Sequence, residues 1–230
     1  MLILAIDTAL DACAAGVLDT NTTKLIVQES LPMQRGHAEA LMPLLARVMA
    51  QSGIGFPDLA RIAVTTGPGS FTGLRVGLSA ARGIGLAAAK PVVGVTTLAA
   101  YAAPLVTHNQ ESPVLSAIDA RHDHVYMQLV AGDGTPLLRP RVAPIEEALQ
   151  AVRFGAPRLV GNAASLLAER WPDDAPAPVL IDPRPAPDIA WVAWLGAAVD
   201  PASAPARPTY LRAPDAKRQG SLMQAAQPAP

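Results

Sequence analysis

Apolar and polar positions alternate along this chain in two distinct rhythms. Leu2–Ile6, Cys13–Leu18 and Lys24–Ser30 are short apolar or alternating runs, separated by polar corners at Leu10-Asp11 and Asn21-Thr22-Thr23. That is the pattern of an antiparallel strand meander. The period then changes over His37–Gln51, where Leu41, Leu44, Leu45 and Val48 share one stripe and predict a helix that Gly53, Gly55 and Pro57 stop. Ile62–Thr66 reads as a buried strand, Gly67-Pro68-Gly69 as a loop, and Phe71–Ala89 as a long helix closed by Lys90-Pro91. Val92–Val95 predicts a strand and Thr97–Val106 a helix. Strand, loop, helix and strand in that order imply parallel pairing through a helical crossover, hence an α/β fold.

Downstream, Val114–Ile118 and Val125–Val130 predict two strands bent around Asp119–Asp123. Leu159–Val160 with Gly161-Asn162 leads into a helix over Ala163–Arg170. Proline is dense from Trp171 onward, and only Ile189–Val199 reads as helical there. After Asp215 the chain has no periodicity and is expected to be loosely ordered. No repeat of fixed period is visible.

Composition narrows the options. The net charge is -1, and charged residues make up 16% of the chain without a Lys/Arg cluster. A protein that holds nucleic acid unaided neutralises phosphates with such clusters, so any RNA role is expected to be shared with a partner. Aromatics are 4% of the chain, so Ala, Leu, Val and Ile must fill the core. The one cysteine, Cys13, excludes an intrachain disulfide framework. Asp7 ends the first apolar run too early for a signal peptide, and no stretch is long and apolar enough to span a bilayer. A cytoplasmic protein is expected.

The richest stretch is Thr66–Arg75, TGPGSFTGLR. Lying between strand and helix, it can point backbone N–H groups at an anion. It lacks the Lys-Ser/Thr of a phosphate loop, the third glycine of a dinucleotide loop and the spacing of a nucleophile elbow. The competing reading is a structural turn with a helix cap at Ser70 or Thr72. In the helix that follows, Gly73, Gly77, Ala81, Gly85 and Ala89 recur every four residues. Helical glycine costs about 0.5–1 kcal/mol relative to alanine, so another backbone must approach this ridge closely. Either the chain's own sheet or a partner protein satisfies that requirement.

Asp7-Thr8 ends the first strand, where an acid can position a nucleotide phosphate or form an Asx turn. His122 and His124 lie on one face if their segment is extended, but lack a closing ligand, and no metal site is assigned. No nucleophilic triad can be assembled from neighbouring segments, and no catalytic residue is assigned.

Several blocks together resemble the TsaB family: Leu4–Thr8, His37-Ala-Glu39 leading to Leu41-Met-Pro43, Gly67–Arg75, Val95-Thr-Thr-Leu98, Asp119-Ala-Arg121 with Val125-Tyr126, and Pro208-Thr-Tyr-Leu-Arg212. The order matches over nearly the whole chain. Gly67–Arg75 is the most specific block. The resemblance implies an actin-like α/β fold of the sugar-kinase, chaperone and actin type, with two related lobes of mixed sheets and flanking helices. A first lobe over 1–100, a second over 101–214 and a tail over 215–230 are expected.

The resemblance further implies a non-catalytic subunit that binds and activates a TsaD-type transferase in making threonylcarbamoyladenosine on tRNAs reading codons that begin with A. Docking is expected through two helices, by His37, Leu41, Leu44, Leu45 and Val48 on the first. On the second it falls to Gly73, Leu74, Gly77, Leu78, Ala81, Arg82 and Gly85. Gly77→Leu is then expected to abolish docking and spare the fold. A TsaE-type ATPase joins the complex, tRNA is met only through it, and the chain alone self-associates by the same surface. No cofactor is expected in the isolated chain; ATP or ADP belongs to the assembled complex, with Asp7 and Thr8 as the candidate nucleotide loop. Where the transferase carries two metal-binding histidines, this sequence has Thr97 and Tyr101, which argues against transfer chemistry here. The alternatives are an autonomous actin-like ATPase or phosphotransferase, and a metallopeptidase.

Overall fold

Strands covered on both faces should be apolar throughout, and edge strands should alternate. A computed structural model, describing residues 1–107 and 111–212, follows that rule. Leu2–Asp7 (β1) and Ala12–Asp19 (β2) are almost wholly buried, whereas Lys24–Pro32 (β3) alternates exposed and half-buried positions. Arg61–Gly67 (β4) and Val92–Thr96 (β5) complete a five-stranded sheet of order β3-β2-β1-β4-β5. Its β1–β2 and β2–β3 pairs are antiparallel, while β1–β4 and β4–β5 are parallel.

The second half repeats this plan. Val114–Asp119 (β6), His124–Val130 (β7), Pro136–Pro144 (β8), Arg158–Val160 (β9) and Leu180–Asp182 (β10) form a sheet of order β10-β9-β6-β7-β8. Read from its other edge, each strand takes the place and direction of its counterpart in the first sheet. The helices repeat as well. His37–Ser52 (α1), Phe71–Ala88 (α2) and Thr97–Ala102 (α3) answer to Ile145–Leu149 (α4), Ala164–Glu169 (α5) and Ile189–Ala198 (α6). The protein is therefore two related lobes of the actin-like type.

The lobes exchange their last helices. Helix α3 packs on β6, and α6 packs beneath β1, β2 and β4. Ile189, Val192 and Ala193 of α6 join Ile3, Ala5 and Ala63 in one apolar layer. Gly196 permits this, since a Cβ there would run into Ala63. The chain then returns along the first sheet, where Pro205 bridges Val93 and the Gly94 N–H donates to the Ala204 carbonyl. The expectation of a second lobe over 101–214 therefore needs correcting at its end: α6 and 204–209 pack on the first lobe. Nothing local in the sequence distinguishes a helix packed on its own lobe from one packed on the other. The predicted tail, 215–230, lies outside the described residues.

Sequence reasoning missed β8, α4 and β10. Strand β8 carries Pro136, Pro140 and Pro144, which only an edge position tolerates, and β10 is three residues long. Among the described residues no helix is long and apolar enough to cross a membrane.

Candidate functional site

A polar cleft of about 650 Å³ opens between the lobes. It is built from repeated parts: the β1–β2 corner with Leu10 and Asp11, the β6–β7 corner with Asp119, Ala120 and Arg121, and the Gly69–Thr72 turn. Asn162, in the second-lobe counterpart of that turn, closes the far side and accepts the Asp119 N–H through Oδ1 at 2.9 Å. Arg35, from the entry to α1, lines it too.

The corners share one chemistry. Asp7 Oδ1 accepts the Ala9 N–H at 3.0 Å, and Asp119 Oδ1 accepts the Arg121 N–H at 2.7 Å. Both are Asx turns. Their surroundings differ. Asp119 is exposed to the cleft, while Asp7 is fully buried, accepts the Thr65 hydroxyl at 2.5 Å and leaves Oδ2 without a partner among the described residues. Burial holds the Asp7 carboxyl above its ordinary pKa, against the lowering effect of the Thr65 and Ala9 hydrogen bonds. Thr8 is equally buried and donates its hydroxyl to the Gly73 carbonyl at 2.7 Å. Asp7 and Thr8, the candidate nucleotide loop, thus lie beneath the cleft floor as a structural corner.

The Gly67–Arg75 block forms a turn and a capped helix. Ser70 Oγ accepts the Gly73 N–H at 3.2 Å, and the Ser70 N–H donates to the Ala9 carbonyl at 2.7 Å, pinning the start of α2 to the β1–β2 corner. The ridge finds its close neighbour inside the chain. A Cβ on Gly73 would strike the Thr8 carbonyl, one on Gly77 the Thr8 hydroxyl, and one on Gly85 the Val92 side chain.

This corrects the residue-level docking expectation. Leu41, Leu44, Leu45 and Val48 of α1 are buried in the same core as Leu74, Leu78 and Ala81 of α2. His37 is buried with Nε2 3.0 Å from the Leu10 carbonyl. Gly73, Gly77 and Gly85 lie on the buried face of α2, and exposed Arg82 donates from its guanidinium to the Ala206 carbonyl. An apolar stripe marks the buried face of a helix whichever surface buries it, and here the chain's own sheet does so. Gly77→Leu would accordingly strike the fold itself.

Of the expected docking residues only Arg82 is exposed. The other outward positions are Ala38, Glu39, Met42, Pro43, Ala46, Arg47, Ala50 and Gln51 on α1, and Phe71, Thr72, Arg75, Ser79, Gly83, Leu86 and Ala87 on α2. Leu86 is 86% exposed and Met42 55%. Sequence reasoning missed them because an exposed apolar residue carries no periodic mark.

His122 and His124 do not share an extended face. Arg121, His122 and Asp123 all adopt positive φ, and His124 Nδ1 lies 2.6 Å from the His122 carbonyl. Among the described residues no group of three or more His, Cys, Asp or Glu side chains is placed to hold a metal ion. Thr97 and Tyr101 are buried away from the cleft, the Tyr101 hydroxyl donating to the Arg184 carbonyl at 2.9 Å.

Comparison with known proteins agrees with this geometry. The sequence family TsaD, tRNA N6-adenosine threonylcarbamoyltransferase, matches residues 31–157, more than half of the chain. The tRNA threonylcarbamoyladenosine biosynthesis protein TsaB of Escherichia coli is 39% identical over 126 residues, 55% of this chain and 53% of that protein. The chain thus matches about half the length of the curated TsaB relatives. An uncharacterized protein of Mycobacterium tuberculosis is 34% identical over 220 residues, 94% of this chain and 93% of its own. Among solved structures, YeaZ from Pseudomonas aeruginosa superposes with a TM-score of 0.74 at 28% identity, over 91% of this chain and 99% of that one. By these matches in sequence and architecture together, the chain belongs to the TsaB family, relatives of the TsaD transferases.

Proposed function

We propose that this chain takes part in threonylcarbamoyladenosine formation on tRNA as a non-catalytic cytoplasmic subunit that binds and activates a TsaD-type transferase. The observation that carries this reading is the outer surface of the helix pair. Helices α1 and α2 lie side by side on one face of the first sheet. Together they offer solvent small residues (Ala38, Ala46, Ala50, Ser79, Gly83 and Ala87) and the apolar Met42 and Leu86, interspersed with the charged Glu39, Arg47, Arg75 and Arg82. Small residues let a partner's helices approach closely, while Met42 and Leu86 add exposed apolar area that a partner can remove from water. Thr97 and Tyr101 support the non-catalytic part, because neither is an imidazole and neither faces the cleft. A TsaE-type ATPase and an adenine nucleotide join at the assembled complex, and without its partner the chain self-associates through the same helix faces.

Calorimetric titration with the matching TsaD-type protein tests the docking. Leu86→Glu is expected to weaken binding by about thirtyfold, since it would bury an unpaired charge in the interface. The isolated variant should keep its fold, because Leu86 touches little of its own chain. Unchanged affinity for both Leu86→Glu and Met42→Glu refutes this surface. Threonylcarbamoyl transfer or appreciable ATP turnover by the chain alone refutes the accessory role.

A further inference from the structure

Two aromatic rings stand at the rim of the cleft. The whole chain has three phenylalanines and three tyrosines, yet Phe71 and Tyr210 are 40% and 45% exposed. Their centroids are 5.6 Å apart with the planes tilted by 35°, and the Arg75 guanidinium lies 3.7 Å from the Phe71 centroid. These contacts come from different parts of the chain. Phe71 opens α2, whereas Tyr210 belongs to the returning segment, fastened by the Thr209 N–H to the Thr66 carbonyl at 2.7 Å. Arg212 then donates to the Ala120 carbonyl at 3.3 Å, so the segment runs along the cleft edge from one lobe to the other.

The charges are arranged to match. Arg35 and Arg121 line the cleft from opposite lobes and form no ion pair among the described residues. The two acids of the lining are already engaged as acceptors, Asp11 with the Gln34 amide and Asp119 with the Arg121 N–H. Arg35 and Arg121 balance Asp11 and Asp119 across the lining, and Arg75 at the aromatic rim adds a further positive charge, on a chain whose net charge is -1.

We propose that the Phe71–Tyr210 pair and the cleft beside it receive an unstacked nucleotide of the RNA, so that this chain contacts tRNA directly. The inference rests on the functional reading above and adds a contact that the helix surface does not supply. Single-stranded RNA is held by stacking on aromatic rings and arginine planes, with positive charge following the phosphates. A protein partner is the poorer fit. Leu10 and Ile118, the large aliphatic side chains of the lining, are buried, leaving mainly polar groups and the aromatic rim for contact. One such site on a chain without a basic cluster binds RNA weakly alone, so its effect is read in the complex.

The test uses the complex with the TsaD-type transferase and a cognate tRNA transcript containing 4-thiouridine. After irradiation, cross-linked peptides of this chain are expected to include Phe71–Arg75 or Thr209–Arg212. Tyr210→Leu is expected to weaken the complex's RNA affinity by about tenfold, the loss of one stacked base. Tyr210→Phe should restore it, and the affinity for the transferase should not change. Thermal midpoints of the variants exclude misfolding as the cause. Cross-links confined to the transferase, with RNA affinity unchanged in Tyr210→Leu, overturn the inference and leave the accessory role standing. Loss of transferase binding in Tyr210→Leu, without cross-links here, makes the rim a protein contact and also overturns it. If no complex forms, the accessory role fails, and the same RNA irradiated with the isolated chain must still cross-link at this rim or the inference falls as well.

Discussion

Gly73 and Gly83 occupy one helix, yet alanine is expected to have opposite effects at the two. At Gly83 a Cβ meets nothing within 4 Å, so Gly83→Ala only removes the entropic cost of helical glycine, a gain of about 0.5–1 kcal/mol. At Gly73 the same atom falls on the Thr8 carbonyl, which is backbone and cannot rotate aside. The Ser70 N–H bond to Ala9 and the Thr8 hydroxyl bond to Gly73 lock that corner against α2. Prying them apart costs about 1–3 kcal/mol of overpacking strain. Weakening the Thr8–Gly73 hydrogen bond adds about 1 kcal/mol. Set against alanine's helical gain of about 1 kcal/mol, Gly73→Ala should destabilise by about 1–3 kcal/mol. The variants then differ by at least about 1.5 kcal/mol, and at roughly 2–4 °C per kcal/mol for this size their midpoints should separate by about 3 °C or more. Urea titration and calorimetry of the isolated chain supply the measurement. Gly73→Ala as stable as the parent, or Gly83→Ala less stable, refutes burial of the ridge against the chain's own β1–β2 corner.

Two further outcomes concern buried charges. Burial raises the Asp7 pKa above the ordinary 3.8, so the fold favours the neutral carboxyl. Below 3.8 both folded and unfolded states are protonated and the penalty vanishes. As pH rises through 3.8 the unfolded chain releases its proton first, and stability falls until the folded pKa is passed. Asp7→Asn keeps the Oδ1 acceptor and should abolish this decline, matching or exceeding the parent at neutral pH; lower stability there contradicts the account. Arg158 is 7% exposed and donates to the Leu105 and Ser112 carbonyls at 2.6 and 2.7 Å. Arg158→Ala should cost about 2–4 kcal/mol through two lost charge-assisted hydrogen bonds, and an unchanged thermal midpoint would reject that role.

Much of the architecture was legible before any coordinates, because period and punctuation are local properties. The helix over His37–Gln51 emerged as His37–Ser52, and the one over Phe71–Ala89 as Phe71–Ala88, since apolar spacing and flanking Gly and Pro mark such elements directly. A cap at the head of the second helix was legible as well, though only the structure chose Ser70 over Thr72. The need of the glycine ridge for a close neighbour was legible too, but not the neighbour's identity. Both a partner helix and the Thr8 corner satisfy the spacing, and only the tertiary contact chose the corner. The duplication of the lobes was implied only by the family resemblance and not by any visible repeat, because it lives in strand order and direction. Likewise, Phe71 and Tyr210 are separated by most of the chain, so no local pattern could pair them. Short-range rules specify which segments are helix or strand; which surfaces stay open, and which distant side chains meet there, is decided by packing over the whole molecule.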